Sequence, residues 1–178
     1  MVVERGVSNS SVRIVALGHF SHSTAKPYSF DFANFLEAQA DMYAQAVQEL
    51  RSGQKRSHWM WFIFPQINGL GTSVISCRYA IKSLQEAHEY LRHPVLGSRL
   101  IECTKIINGL QGSSARQIFG HPDDMKFCSS MTLFELASDS KSDFAFALEK
   151  YFAGERDAKT YELVGLAKPG AKTSWGRT

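Results

Sequence analysis

The sequence predicts an all-α fold, a compact irregular bundle of about seven to nine helices. Three observations predict it. Apolar residues between 31 and 51 recur at steps of three, four and seven, at Phe32, Phe35, Leu36, Tyr43, Val47 and Leu50, which lays one stripe along one helix face. Two capping-box patterns, Ser83-Leu84-Gln85-Glu86 and Ser114-Ala115-Arg116-Gln117, mark helix starts. Runs that alternate apolar and polar residues, as half-buried strands do, do not occur. The 178 residues are 44% hydrophobic with 12 Phe, 6 Tyr and 3 Trp, enough to build one core and to exclude disorder over most of the chain.

Each element follows from local signals. Asp31 caps a first helix that runs to about Arg51 and stops at Gly53. The aromatic run 57–64, ended by Pro65, reads as a strand by composition or as a short buried helix capped by Ser57. The helix is preferred because no partner strand is visible. A glycine-flanked loop, 69–73, leads to a short helix over about 73–80. Ser83 opens the next, which ends near Arg92, and Pro94 suits the first turn of one reaching about Leu110 with Gly97 inside it. Ser114 opens a short helix closed by Gly120, and Pro122-Asp123-Asp124 opens a longer one to about Ala137, the two acids matching its positive N-terminal end. Ser140 or Ser142 caps a helix carrying Phe144, Leu148, Tyr151 and Phe152, stopped by Gly154. Asp157 caps a last one to about Leu166.

The net charge of +3 is unevenly spread. Residues 1–30 contribute +2 and 167–178 contribute +3, so the body between them sits at −2 and the pI of 8.8 belongs to the ends. A near-neutral body argues against nucleic-acid binding, and no apolar run approaches the ~18 residues of a membrane span. The division expected is a tail over 1–30, one helical domain over 31–166 and a second tail over 167–178. The acid-poor, serine-containing stretch 5–30 also fits an organelle transit peptide, although a plain tail is preferred. Cys77, Cys103 and Cys128 are odd in number and far apart, which reads as reduced, mostly buried thiols in a cytosolic protein. No metal-ligand spacing is present and no cofactor is expected.

Two stretches could carry chemistry. The first places His58, Trp59, Trp61, Gln66, Gly71 and Ser73 close together. An aromatic wall stacks a planar ring, an amide reads its edge, and free N–H groups around Gly71–Ser73 bind an anion. The same aromatics equally serve as core, and the loop as a plain turn. The second holds Asp123, Asp124, Lys126 and Ser130, carboxylates and an ammonium at helical spacing that suit acid–base work. Ordinary helix-start capping explains the two acids as well.

Ser57-His58-Trp59-Met60-Trp61-Phe62, Phe64-Pro65-Gln66 and Gly69-Leu70-Gly71 resemble a bacterial family known as domain of unknown function 1810. His93-Pro94-Val95-Leu96-Gly97 with Arg99-Leu100, Ile118-Phe119-Gly120 with Pro122-Asp123-Asp124-Met125-Lys126, and Ser129-Ser130-Met131-Thr132-Leu133-Phe134 match it too, in order, across about 31–166. Ala80 departs from the glycine common in the family. The resemblance implies an all-helical fold and no established activity, with a link to ADP-ribose or NAD metabolism as a further suggestion. Some relatives carry the label calpastatin, which the capped, aromatic-rich body opposes because such inhibitors are disordered until bound. The functional expectation is a domain that binds or processes a nucleotide-like small molecule, with Asp123 or Asp124 stabilising a cationic sugar or activating water. The alternative is a noncatalytic protein-interaction module using an exposed aromatic patch around 59–64.

Overall fold

The computed structural model describes residues 30–138 and 142–167. Among them lie nine helices: α1 (Ala33–Arg51), α2 (Met60–Ile63), α3 (Val74–Arg78), α4 (Leu84–Arg92), α5 (Leu96–Gly109), α6 (Ala115–Phe119), α7 (Asp123–Leu136), α8 (Asp143–Phe152) and α9 (Ala158–Leu163). No strand occurs among the described residues. One isolated parallel bridge, Ile67 to Ile81, pins the loop after α2 to the start of α4 through Ile81 N–H on the Gln66 carbonyl and Asn68 N–H on the Ile81 carbonyl. The fold is all-α, as the periodicity and caps predict. Most of the two expected tails lies outside the described residues, as does Ser140, one of the two expected caps of α8.

α7 is the centre of the bundle. Positions 129–134 are buried without a break, so this helix has no solvent face over that stretch and packs on α4, α6, α8 and α9. α5 packs on α1, α4 and α8. One core joins them, built around aromatic contacts such as Phe64 edge-on to Phe127 at 5.0 Å and Phe119 stacked on Phe127 at 4.6 Å.

The expected caps mostly hold. Ser73, Ser83, Ser114, Ser142 and Asp157 each accept the backbone N–H three residues on. Ser114–Gln117 forms a complete capping box. At Ser83 the box is half-formed, because the Glu86 carboxylate takes the Lys82 N–H instead. Gly97 sits where α5 starts against the end of α4. A Cβ there would lie 1.9 Å from the Leu91 carbonyl oxygen, so only glycine fits. Ser57 does not cap α2, which begins three residues later at Met60; its hydroxyl is bound to Glu49 instead. The cysteines are free thiols, but only Cys103 is fully buried; Cys77 is exposed and Cys128 half-buried.

Candidate functional site

The segment 56–59 is tied to α1 by one carboxylate. Glu49 is 8% exposed and accepts from five donors. These are the backbone N–H groups of Arg56 (2.7 Å) and Ser57 (3.0 Å), the Ser57 hydroxyl, the Trp59 indole N–H (2.8 Å) and the Gln45 amide (3.1 Å). Burial alone would raise its carboxyl. The hydrogen bonds from Ser57, Arg56 and Trp59 outweigh that and hold it at about 2, so it stays ionised. Sequence reasoning missed this residue. The available signal was its phase, since Glu49 follows Ala46 by three and adjoins Leu50 on the apolar side of α1.

That knot settles the aromatic segment. Trp59 is 0% exposed, and Met60, Phe62, Ile63 and Phe64 are buried with it. Trp59 therefore offers no face to a ligand, and 59–64 is core rather than an exposed aromatic patch. Trp61 is half-buried beneath the Lys126 ammonium, 4.5 Å from its ring centroid. His58 points the other way, into an open cleft of about 600 Å³. Phe62, Tyr79 and Met42 line its apolar part, and Arg78, Glu37 and Asp41 its charged part. Arg78 and Glu37 form a loose, exposed ion pair at 3.9 Å. Ser57 lines both this cleft and a smaller recess with Gln45, Gln48, Ser52 and Arg56.

The second stretch lies over the core beside Trp59 and Trp61. Asp123 stands between two ammoniums, Lys55 at 2.7 Å and Lys126 at 2.6 Å, and Lys55 also sits over the Trp59 ring at 5.2 Å. Burial raises the Asp123 carboxyl, but the bonds to Lys126 and Lys55 win and lower it. Such a carboxylate is a fixed negative charge, neutralised locally, and not a proton donor near neutral pH. Asp124 pairs with the half-exposed His121 at 3.2 Å and accepts the Met125 N–H. Ser130 is 0% exposed and its hydroxyl has no partner among the described residues.

The two stretches thus meet through Lys55–Asp123 and Trp61–Lys126, residues more than sixty positions apart. They do not share the His58 cleft, whose lining includes no α7 residue. Gln66 is half-buried and holds its loop through its backbone carbonyl. The half-buried Gly71 lies against Ser76, whose Cβ would be 2.7 Å from an added Cβ. Ser73 spends its hydroxyl on the Ser76 N–H of the five-residue α3, and Cys77 N–H goes to the Ser73 carbonyl. A comparable cleft of about 610 Å³, not foreseen from the sequence, lies between α4 and α8, lined in part by His88, Arg92, Ile101 and Phe146. Among the described residues no group of three or more His, Cys, Asp or Glu could hold a metal ion, and no helix is long and apolar enough to cross a membrane.

Comparison with known proteins agrees with this fold. A crystal structure of the conserved hypothetical protein Rv1873 from Mycobacterium tuberculosis is 52% identical in sequence, with a TM-score of 0.75. The match covers 78% of this chain and 99% of that one. No curated protein matches. Residues 29–164, from just before α1 to just past α9, match the family described as protein of unknown function (DUF1810), and the chain belongs to that family.

Proposed function

We propose that this domain binds a nucleotide-like small molecule, of the ADP-ribose or NAD class, in the cleft beside His58. One observation carries the reading: the cleft pairs an apolar base with charged side chains of both signs. Its volume of about 600 Å³ lies within the usual range of ligand sites. Phe62, Tyr79 and Met42 give a base for a planar ring. Arg78 and His58 suit a phosphate, and Glu37 and Asp41 suit ribose hydroxyls. The Arg78–Glu37 pair is exposed and long, so a ligand can replace it at little cost. The reading is of binding rather than turnover, because Asp123 is held by two lysines and Ser130 is enclosed. A packed helical body also speaks against the calpastatin label.

Thermal shift against AMP, ADP-ribose and NAD tests it, because a ligand that binds only the folded state raises the melting temperature. At least one should do so. His58→Ala and Arg78→Ala should remove that shift while leaving the ligand-free melting temperature nearly unchanged, since both side chains are exposed. No shift with any of the three, or an equal shift in both variants, overturns the reading. A protein-interaction module remains the second reading, favoured by Val74 and Ile75, exposed side by side on α3.

A further inference from the structure

Where α5 meets α1, a half-buried guanidinium has no ion-pair partner among the described residues. Arg99 of α5 lies over the Tyr43 ring, 4.5 Å from its centroid, and donates from Nη1 to the Gln39 side-chain oxygen at 3.3 Å. Gln39 is itself locked. It is 1% exposed, and its amide nitrogen donates to the Phe62 carbonyl at 2.6 Å and the Tyr90 hydroxyl at 3.2 Å, which aims its oxygen at Arg99. The guanidinium is therefore fixed at its face by a ring and at one edge by an amide.

The natural partner is diverted. Glu102 is one turn along α5, at the spacing that favours an ion pair with Arg99. Its Oε2 instead accepts the Tyr43 hydroxyl at 2.7 Å, and its Oε1 faces Arg51 at 3.8 Å. Of the five N–H groups a guanidinium carries, one is used within the described chain. A partly buried charge ordinarily finds a partner. A rigid, stacked guanidinium with spare donors is the arrangement that recognises a phosphate or carboxylate by two parallel bonds.

We infer that Arg99 binds a small oxyanion, the phosphate or carboxylate of a metabolite, at the seam of α1 and α5. Tyr43 keeps the position open by holding Glu102 away. This site does not depend on the His58 cleft, and His58→Ala should leave it intact.

The test is the side-chain Nε–Hε signal of Arg99 in the nitrogen-15-labelled full chain. It is followed on titration with potassium phosphate, or potassium acetate, against potassium chloride at equal ionic strength. One or both oxyanions should move the signal saturably while chloride does not; which of them binds sets the ligand class. By isothermal titration, Arg99→Lys, which keeps the charge but loses the fork, should weaken binding about tenfold. Tyr43→Phe keeps the ring and frees Glu102 to pair with Arg99, so it should weaken binding several-fold without touching the ligand. Adding Glu102→Gln to Tyr43→Phe should restore it. A signal that moves no more with phosphate and acetate than with chloride overturns the inference. So does a Tyr43→Phe variant that binds like the parent.

Discussion

Two charged side chains that meet α1, Glu49 near its C-terminal end and Arg99 reaching across from α5, are treated in opposite ways. Glu49 is surrounded: five donors converge on its two oxygens, from α1 itself and from the segment 56–59. Arg99 is held by one acceptor and a ring. A saturated charge has nothing left to offer a ligand, so Glu49 organises the chain. An unsaturated one keeps bonding capacity, so Arg99 can act on something outside it. Both are anchored by hydrogen bonds to groups on or beside α1. What separates structure from site is the count of unused bonds.

The largest effect should come from Glu49. Its carboxyl titrates at about 2 against an ordinary 4.5, and a shift of that size corresponds to about 3 kcal/mol of folding stability. Because the folded value is the lower one, this contribution is fully present above about pH 4.5 and is lost as pH falls through about 2. Glu49→Gln keeps the shape and removes the charge. It should cost about 3 kcal/mol at pH 7 in denaturant unfolding, and the difference from the parent should shrink steadily on acidification. A pH-independent difference would show that the five bonds stabilise no charge.

Trp59→Phe is the next in size. It removes the indole N–H from the carboxylate and leaves some space in the core, with an expected loss of about 2 kcal/mol. With four donors left, the Glu49 carboxyl should move up toward 4.5 in an NMR titration. An unmoved value would mean that the indole contributes packing alone. His58 neighbours Trp59, so its place in the cleft should loosen too.

Much of this fold was legible because helix ends are local events. Ser73, Ser83, Ser114, Ser142 and Asp157 each act on an N–H three residues away, a distance that sequence shows directly. The site was less legible because its partners are distant. Asp123 and Lys126 were visible as a pair, but Lys55, sixty-eight residues earlier, was not. Ser57 looked like a cap since nothing nearby announced that Glu49 would take its hydroxyl. His58 was foreseen, whereas its neighbours Arg78 and Tyr79 carried no signal, since their place in the cleft depends on contacts with α1. A polar residue in phase with apolar ones is the clue that was present: Gln39 and Glu49 both lie on the buried side of α1. It says that a partner exists and not which one.

The smallest effect sharpens the comparison from its neutral side. Ser130, like Arg99, has unused bonding capacity, but it carries no charge and is fully enclosed by α7's neighbours. Neither a ligand nor bulk water reaches it, so its empty valence is a folding cost rather than a recognition element. Ser98 and Ser129 return the hydroxyl to the carbonyl four residues back, Ser129 to Met125 at 3.1 Å; Ser130 does not. Ser130→Ala deletes an unpaired buried hydroxyl and leaves a void smaller than a methyl group. The two terms nearly cancel, and stability should stay level or rise by up to about 1 kcal/mol in chemical denaturation. A loss of about 1 kcal/mol would instead mean that an enclosed water completes the hydroxyl. Ser130 would then belong with Glu49 among the satisfied groups, and Arg99 would stand alone as the held but unsaturated one of the three.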